Sequence, residues 1–412
     1  MKIFKFGGAS VKDAESVKNV SMVLKSQGFD KCLLVISAMG KTTNELEKVV
    51  ELYFKKEDYQ TEIEKIKQKH IEIAKGLFQN NHVVFDEINL FFDDIVSFLR
   101  RNKSPNYNFV YDQVVSCGEM ISTKIVSEYL NDIQFINQWL DARDYIKTDD
   151  SYRDGVVNWQ KTEEFVSTLN SSQSYVTQGF IGSDDNNFTV TLGREGSDYS
   201  AAIFAYCLNA TAMTIWKDVP GVMTGDPRKF ENVSLLSNIS YEEAIEMAYY
   251  GASVIHPKTL QPLQQKNIPF YVKSFIDPTK EGTKVGASEK NQSEESYILK
   301  DNQTLLKIFT RDFSFIAEDH MSLIFTHLAK YKIKVSLMQN SAISLALCLE
   351  DKFLKIDQLN EELQKVFKTE VVKNVSLFTV RNAKMENIGK FYQEKSVLLE
   401  QIAKNTLQMV TQ

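Results

Sequence analysis

Several charged side chains of this 412-residue chain stand beside glycines where an apolar run gives way to a polar turn. KFGGAS sets Lys5 against the pair Gly7 and Gly8. Glycines let backbone N–H groups approach an anion closely, a following helix N-terminus adds a favourable field, and a lysine neutralises phosphate oxygens as a point charge. The segment reads either as a phosphate-contacting turn or as a tight turn with a solvated lysine; the Walker A spacing is absent. VTLGREGSDYSAA places Arg194, Ser197 and Asp198 on one turn between a strand and a helix, where an arginine offers a planar fork to a carboxylate. In VVSCGEMIST, Glu119 follows a glycine at the head of a helix. A carboxylate there either complements the helix dipole or receives an ammonium group. IWKDVPGVMTGDPRKF ends a strand in Lys217 and Asp218 and closes its loop with Arg228 and Lys229. In VISAMGKTTNEL the hydroxyls of Thr42 and Thr43 read most simply as helix N-caps.

The elements that must position these groups alternate. Strands are expected at Ile3–Phe6, Cys32–Ser37, Gln134–Leu140, Ser174–Thr177, Thr189–Leu192, Ala212–Trp216 and Pro269–Val272. Helices are expected over Ser10–Ser26, Ser197–Leu208 and Tyr241–Tyr250, with a helical excursion from Asn44 to Arg101. Short unbroken apolar runs such as CLLVIS suit a parallel sheet covered on both faces. The fold class is therefore α/β over residues 1–285, a mainly parallel open sheet sandwiched by helices. Ligands of such sheets bind beyond the carboxyl ends of the strands, where these turns lie. A polar linker at 286–301 leads to an α+β, ferredoxin-like region at 302–412. One unit there, 302–370, is fairly complete. A second, 371–412, reads as truncated, with a helix over Ser396–Lys404.

Composition narrows the function classes. The chain is 43% hydrophobic and 25% charged with a net charge of -6, which disfavours nucleic acid as the main partner. No apolar run approaches the roughly 20 residues needed to span a bilayer, and MKIFKFGGAS is no signal peptide. The 4 cysteines form no CxxC pair and the 5 histidines no ligand spacing, so no protein-held metal centre is expected and the compartment reads as the cytoplasm.

Six segments in order, KFGGAS, VSCGEMIST, TQGFIGS, TLGREGSDYSAA, WKDVPGVMTGDPR and GASVIHPKTL, resemble those of aspartate kinases in the amino-acid kinase superfamily, over most of residues 1–280. The tail resembles the ACT regulatory module that follows in those enzymes. The resemblance implies ATP-dependent phosphorylation of the side-chain carboxylate of L-aspartate, the first step toward lysine, threonine and methionine, with Mg2+ carried in by ATP. It places Lys5 on the transferring phosphoryl group and Asp198 as the organiser of the reacting groups. Thr43, Glu119, Arg194 and Ser197 would bind aspartate. Gly7, Gly8, Lys217, Asp218, Arg228 and Lys258 would serve the nucleotide. ACT modules commonly pair through sheet edges, implying a homodimer.

Several positions depart from the family pattern. Ala9 stands for a threonine, Glu195 for a glycine, Lys217 for a threonine, Met223 for a tyrosine and Ser253 for a lysine. In the tail, Ser336 and Ala342 occupy positions that are acidic in lysine-sensitive relatives, so lysine inhibition is expected to be weak or absent. The alternatives are another amino-acid carboxylate kinase, which would leave Glu119 without an ammonium partner, and a non-catalytic amino-acid sensor of the same fold, against which Lys5 and Asp198 speak. A uridylate-type kinase would need basic residues where Glu119 stands.

Overall fold

The computed structural model describes the whole chain except residues 29–30, 253–254, 288–293 and 385–395. The described residues divide into two compact units. The first holds Met1–Val222, Leu235–Ile245 and Val254–Asn291, the second Met223–Ser234, Glu246–Ser253 and Gln292–Gln412.

In the first unit, β1 (Lys2–Phe6) leads through a 3-10 turn at Gly8–Val11 to α1 (Ala14–Gln27) and β2 (Cys32–Ile36). The helix expected from Ser10 thus begins later, where the Asp13 side chain accepts from the Ser16 N–H at 2.7 Å and caps it. Four helices follow: α2 (Thr42–Lys55), α3 (Gln60–Lys75), α4 (Val84–Arg101) and α5 (Tyr107–Asp132). Next come β3 (Gln138–Leu140), α6 (Ala142–Tyr145), α7 (Trp159–Val166), β4 (Tyr175–Gln178), β5 (Ile181–Ser183), β6 (Thr189–Thr191), α8 (Gly196–Cys207) and β7 (Ala212–Lys217). The series continues with β8 (Asn238–Ser240), α9 (Tyr241–Tyr250), α10 (Pro257–Gln265), β9 (Phe270–Ser274) and β10 (Thr283–Gly286).

The central sheet runs β3-β4-β2-β1-β7-β9-β10-β8, parallel except between β9 and β10. Every residue of β2 is buried, as a strand covered on both faces requires. The carboxyl ends of β1, β2, β4 and β7 lie side by side, and loops there can converge. β3 is shorter than the strand expected from Gln134, and the β5–β6 hairpin was not foreseen as one. Among the described residues, no helix is long and apolar enough to cross a membrane.

The second unit carries β11 (Ser296–Phe309), α11 (Glu318–Lys330), β12 (Lys334–Asn340), β13 (Ser344–Glu350), α12 (Ile356–Gln364), β14 (Lys368–Arg381), β15 (Val397–Ala403) and β16 (Thr406–Thr411). Its antiparallel sheet runs β12-β13-β11-β14-β16-β15. The later half of β11 with α11, β12, β13, α12 and the start of β14 makes the expected ferredoxin-like unit. Its core is formed by Leu306, Ile308, Ile324, Leu328, Leu345 and Leu347.

Three expectations need correction here. The second copy is not short of strands: Ser296–Lys300 pairs with Leu377–Arg381 and supplies the missing fourth strand beside β14, β16 and β15. The expected linker is consequently strand from Ser296 onward, its 288–293 portion lying outside the described residues. The segment expected as a helix over Ser396–Lys404 is β15, which pairs with β16 through a tight turn at Lys404, φ 54°. Cross-strand pairing overrides helical spacing in so short a run.

Candidate active site

β1 and β2 end side by side, with Phe6 opposite Ile36. Beyond them the loops touch: the Gly40 N–H donates to the Gly8 carbonyl at 3.0 Å. A Cβ on Gly8 would lie 2.7 Å from the Ala38 carbonyl oxygen and 2.9 Å from that of Gly40, so only glycine fits. This contact floors a cleft of about 350 Å³ lined by Lys5, Gly8, Thr43, Glu119, Ser197, Asp198 and Lys217, all expected from the sequence. Gly7 adjoins it: a Cβ there would sit 3.4 Å from the Lys5 ammonium. Lining residues that sequence reasoning did not assign a role are Ser37, Ala38, Gly40, Phe180, Gly193, Glu195 and Gly196. Ser37 and Ala38 could have been found from the rule that loops after parallel strands bind ligands.

The cationic side of the cleft is built on Asp198, in the first turn of α8. Lys5 Nζ lies 2.6 Å from its Oδ1 and Lys217 Nζ 3.6 Å from its Oδ2. Burial works against ionising Asp198, yet the two ammonium groups prevail and hold its pKa below the ordinary aspartate value. Lys5 itself is only 8% exposed.

Glu119 lines the same cleft. It sits near the middle of the 26-residue α5, which Asn106 caps, and not in a first helical turn as expected. Gly118 before it marks close packing instead: a Cβ there would lie 3.0 Å from Thr42 Cγ2 and 3.2 Å from Leu46 Cδ1 of α2. The dipole reading of Glu119 therefore falls. Burial pushes its pKa up to about 8, opposed by the Ala38 N–H and by Lys5. Its Oε2 is buried without a hydrogen-bond partner. A buried carboxylate left one partner short is complementary to a cationic group of a ligand.

The turn from β6 into α8 is braced from below. Asp112, fully buried on α5, accepts from the Thr191 N–H at 2.8 Å, the Thr191 hydroxyl at 2.7 Å and the Arg153 N–H at 3.0 Å. The turn then swings through Gly193 at φ 76° and Glu195 at φ 54° before α8 begins. α8 lands on the backbone of Gly179, where a Cβ would meet Ser197 Cβ at 2.5 Å.

The remaining expected residues are not brought into the cleft. Arg194 is exposed on the turn, between the lining residues Gly193 and Glu195. Asp218 is exposed next to Lys217. Lys258, at the start of α10, pairs with Asp154 at 2.7 Å. Arg228 belongs to the second unit and pairs with Asp226 at 2.8 Å. Ser253 lies outside the described residues.

Known proteins resemble this chain along most of its length. Residues 1–274 match the model of the amino acid kinase family. The lysine-sensitive aspartokinase 3 of Escherichia coli (strain K12) is 33% identical over 358 residues, covering 84% of this chain and 78% of that protein. The chloroplastic aspartokinase 2 of Arabidopsis thaliana is 30% identical over 429 residues, covering 97% and 76%. The crystal structure of E. coli aspartokinase III in complex with aspartate and ADP superposes with a TM-score of 0.83 at 28% identity, covering 100% of this chain and 96% of that one.

Proposed function

The chain belongs to the amino acid kinase family, in its aspartokinase branch, and from that premise we infer that the cleft transfers the γ-phosphoryl group of ATP to the side-chain carboxylate of L-aspartate. The products are 4-phospho-L-aspartate and ADP. The observation that carries this reading is one cleft lined by both a doubly paired Asp198 and a buried Glu119 with an unpartnered oxygen. Aspartate meets both, its ammonium against Glu119 and its side-chain carboxylate toward the cations.

The acceptor carboxylate is ionised at neutral pH, so no general base is needed. A bond forms from its oxygen to phosphorus, the bond from phosphorus to the β–γ bridging oxygen breaks, and that electron pair leaves with ADP. Two anions must meet in line, so the protein contributes position and positive charge. Lys5 supplies the charge at the phosphoryl group. Thr43 and Ser197 hold aspartate, and Arg194 reaches from the rim with a fork for its α-carboxylate. Gly7, Gly8 and Lys217 receive the nucleotide's phosphates, with Asp218 and Lys258 as outer contacts; Lys258 would exchange Asp154 for them. Magnesium carried in with ATP would supply further positive charge there.

The reading extends to a place at the head of lysine, threonine and methionine synthesis in the cytoplasm. None of the four cysteines is bridged, which suits a reducing compartment. It also extends to a homodimer of the ACT-like second unit, in whose sheet β12 and β15 are, among the described residues, the edge strands.

An aspartate-dependent hydroxamate assay with ATP and magnesium tests the central reading. Aspartyl hydroxamate is expected, and N-acetylaspartate, lacking the ammonium, is expected to give almost none. A folded protein that produces no hydroxamate, or accepts both compounds equally, contradicts it.

Lysine is expected to inhibit weakly. The Ser336 hydroxyl is buried in the sheet and donates to Gln303 Oε1 at 3.1 Å, and Ala342 offers no charge to an ammonium. Half-inhibition at micromolar lysine in the same assay would contradict that.

A further inference from the structure

Lys217 stands where it can do more than line a nucleotide pocket. In the parallel register of β1 and β7, Lys5 is opposite Ile215. Side chains alternate along a strand, so Lys217, two residues on, projects from the same sheet face as Lys5 and roughly 7 Å further along. Trp216 between them points the other way and is anchored there, stacked on Phe6 with ring centroids 6.0 Å apart and edge-on to Phe4 at 6.4 Å. The strand end is thereby fixed and its last side chain is aimed into the cleft.

Two acids share that end of the cleft with the ammonium. Asp198 shares itself between Lys5 and Lys217. Glu195, the left-handed residue before α8, carries a buried Oε2 without a hydrogen-bond partner. Burial raises the Glu195 pKa, and Lys217 is the strongest charge acting against that rise. Glu195 and Lys217 are both departures from the family pattern noted above. A carboxylate and an ammonium in one cleft offset each other in charge, and the ammonium stands there as a second cation beside Lys5.

Building on the aspartate kinase reading, we propose that Lys217 is a second catalytic cation, held by Asp198 before ATP binds and delivered to the transferring phosphoryl oxygens when it does. The transfer itself is unchanged: the acceptor oxygen–phosphorus bond forms, the phosphorus–bridge oxygen bond breaks, and no proton moves. Lys5 and Lys217 approach the same group from neighbouring strands, and Asp198 keeps both oriented.

Lys217→Ala and Lys217→Met, the second keeping the aliphatic stem, are assayed beside the wild type for kcat, for both KM values and for thermal unfolding. Both variants are expected to unfold near the wild-type temperature and to lose about 100-fold in kcat, the scale of removing one preorganised charge donor, with KM for aspartate nearly unchanged. Added ethylammonium is expected to restore part of the Lys217→Ala rate in a saturable manner, which a merely structural lysine would not permit. The proposal is overturned if either folded variant keeps kcat within about threefold of wild type, or if the loss lies wholly in KM. It is also overturned if ethylammonium rescues nothing. A wild-type protein inactive toward aspartate would instead overturn the underlying reading of function, so the two failures are distinct.

Discussion

Lys5→Met is expected to lower kcat for aspartyl phosphate formation about 10³-fold, the larger end of what one preorganised cation contributes to a developing negative charge. Lys5 is the shorter of the two contacts to Asp198 and lies deepest, at the point where β1 meets the Gly7–Gly8 turn. The substitution also leaves a fully buried carboxylate with only Lys217, at 3.6 Å. Removing one partner of a buried ion pair costs about 3 kcal/mol, so unfolding should begin at a lower temperature. The two effects separate in the double variant Lys5→Met/Asp198→Asn. Neutralising Asp198 restores much of the thermal stability, because no buried charge is stranded, yet activity stays lost. A double variant that regained the rate would show that Lys5 serves the fold and not the reaction. Thermal unfolding and initial rates on the same preparations decide it.

Glu119→Gln is expected to raise KM for aspartate about 100-fold, since a hydrogen-bonded charge pair to the substrate ammonium is replaced by a neutral contact. Its pH behaviour is more telling. The carboxyl titrates near 8 in the empty protein because burial disfavours the charge. Aspartate binds the ionised form, so below that pH binding must expel a proton, and affinity falls about tenfold per pH unit as pH drops. Above it the dependence levels off. Glu119→Gln is expected to be flat across this range. Stability runs the other way. A carboxyl whose folded pKa lies above its ordinary 4.5 makes the empty protein less stable as pH rises from 4.5 toward 8, because the unfolded chain releases its proton first. Without ligand the variant should therefore outlast the wild type at alkaline pH, while a given aspartate concentration raises its melting temperature less. A wild-type KM independent of pH between 6 and 9 would contradict this account.

The parts of the site that were legible in the sequence are those governed by local chemistry. Glycines in KFGGAS and GREGSD announce turns after strands, and the strands themselves are short apolar runs with one reading. Glu119 was placed in the right cleft for the wrong local reason. Gly118 looked like punctuation before a helix, when it is an interior glycine that lets α5 approach Thr42 and Leu46. Such packing depends on residues about 70 positions away and leaves no local mark. The ion triad is similar: Lys5, Asp198 and Lys217 are adjacent only because β1, β7 and α8 are. Asp112, whose carboxylate ties β6 to the Arg153 loop, gave no signal at all. Ser296–Lys300 fell within the expected linker because its short apolar run follows a long polar stretch and its partner strand lies some 80 residues later. The outer nucleotide residues Asp218, Arg228 and Lys258 came from motif position alone, and position alone did not bring them to the cleft.

The most direct test is a crystal structure of the protein with aspartate and ADP. The account predicts aspartate in the cleft, its ammonium on Glu119 and its side-chain carboxylate between the Lys5 ammonium and the β-phosphate. Aspartate bound elsewhere, or bound with its ammonium turned away from Glu119, would contradict it.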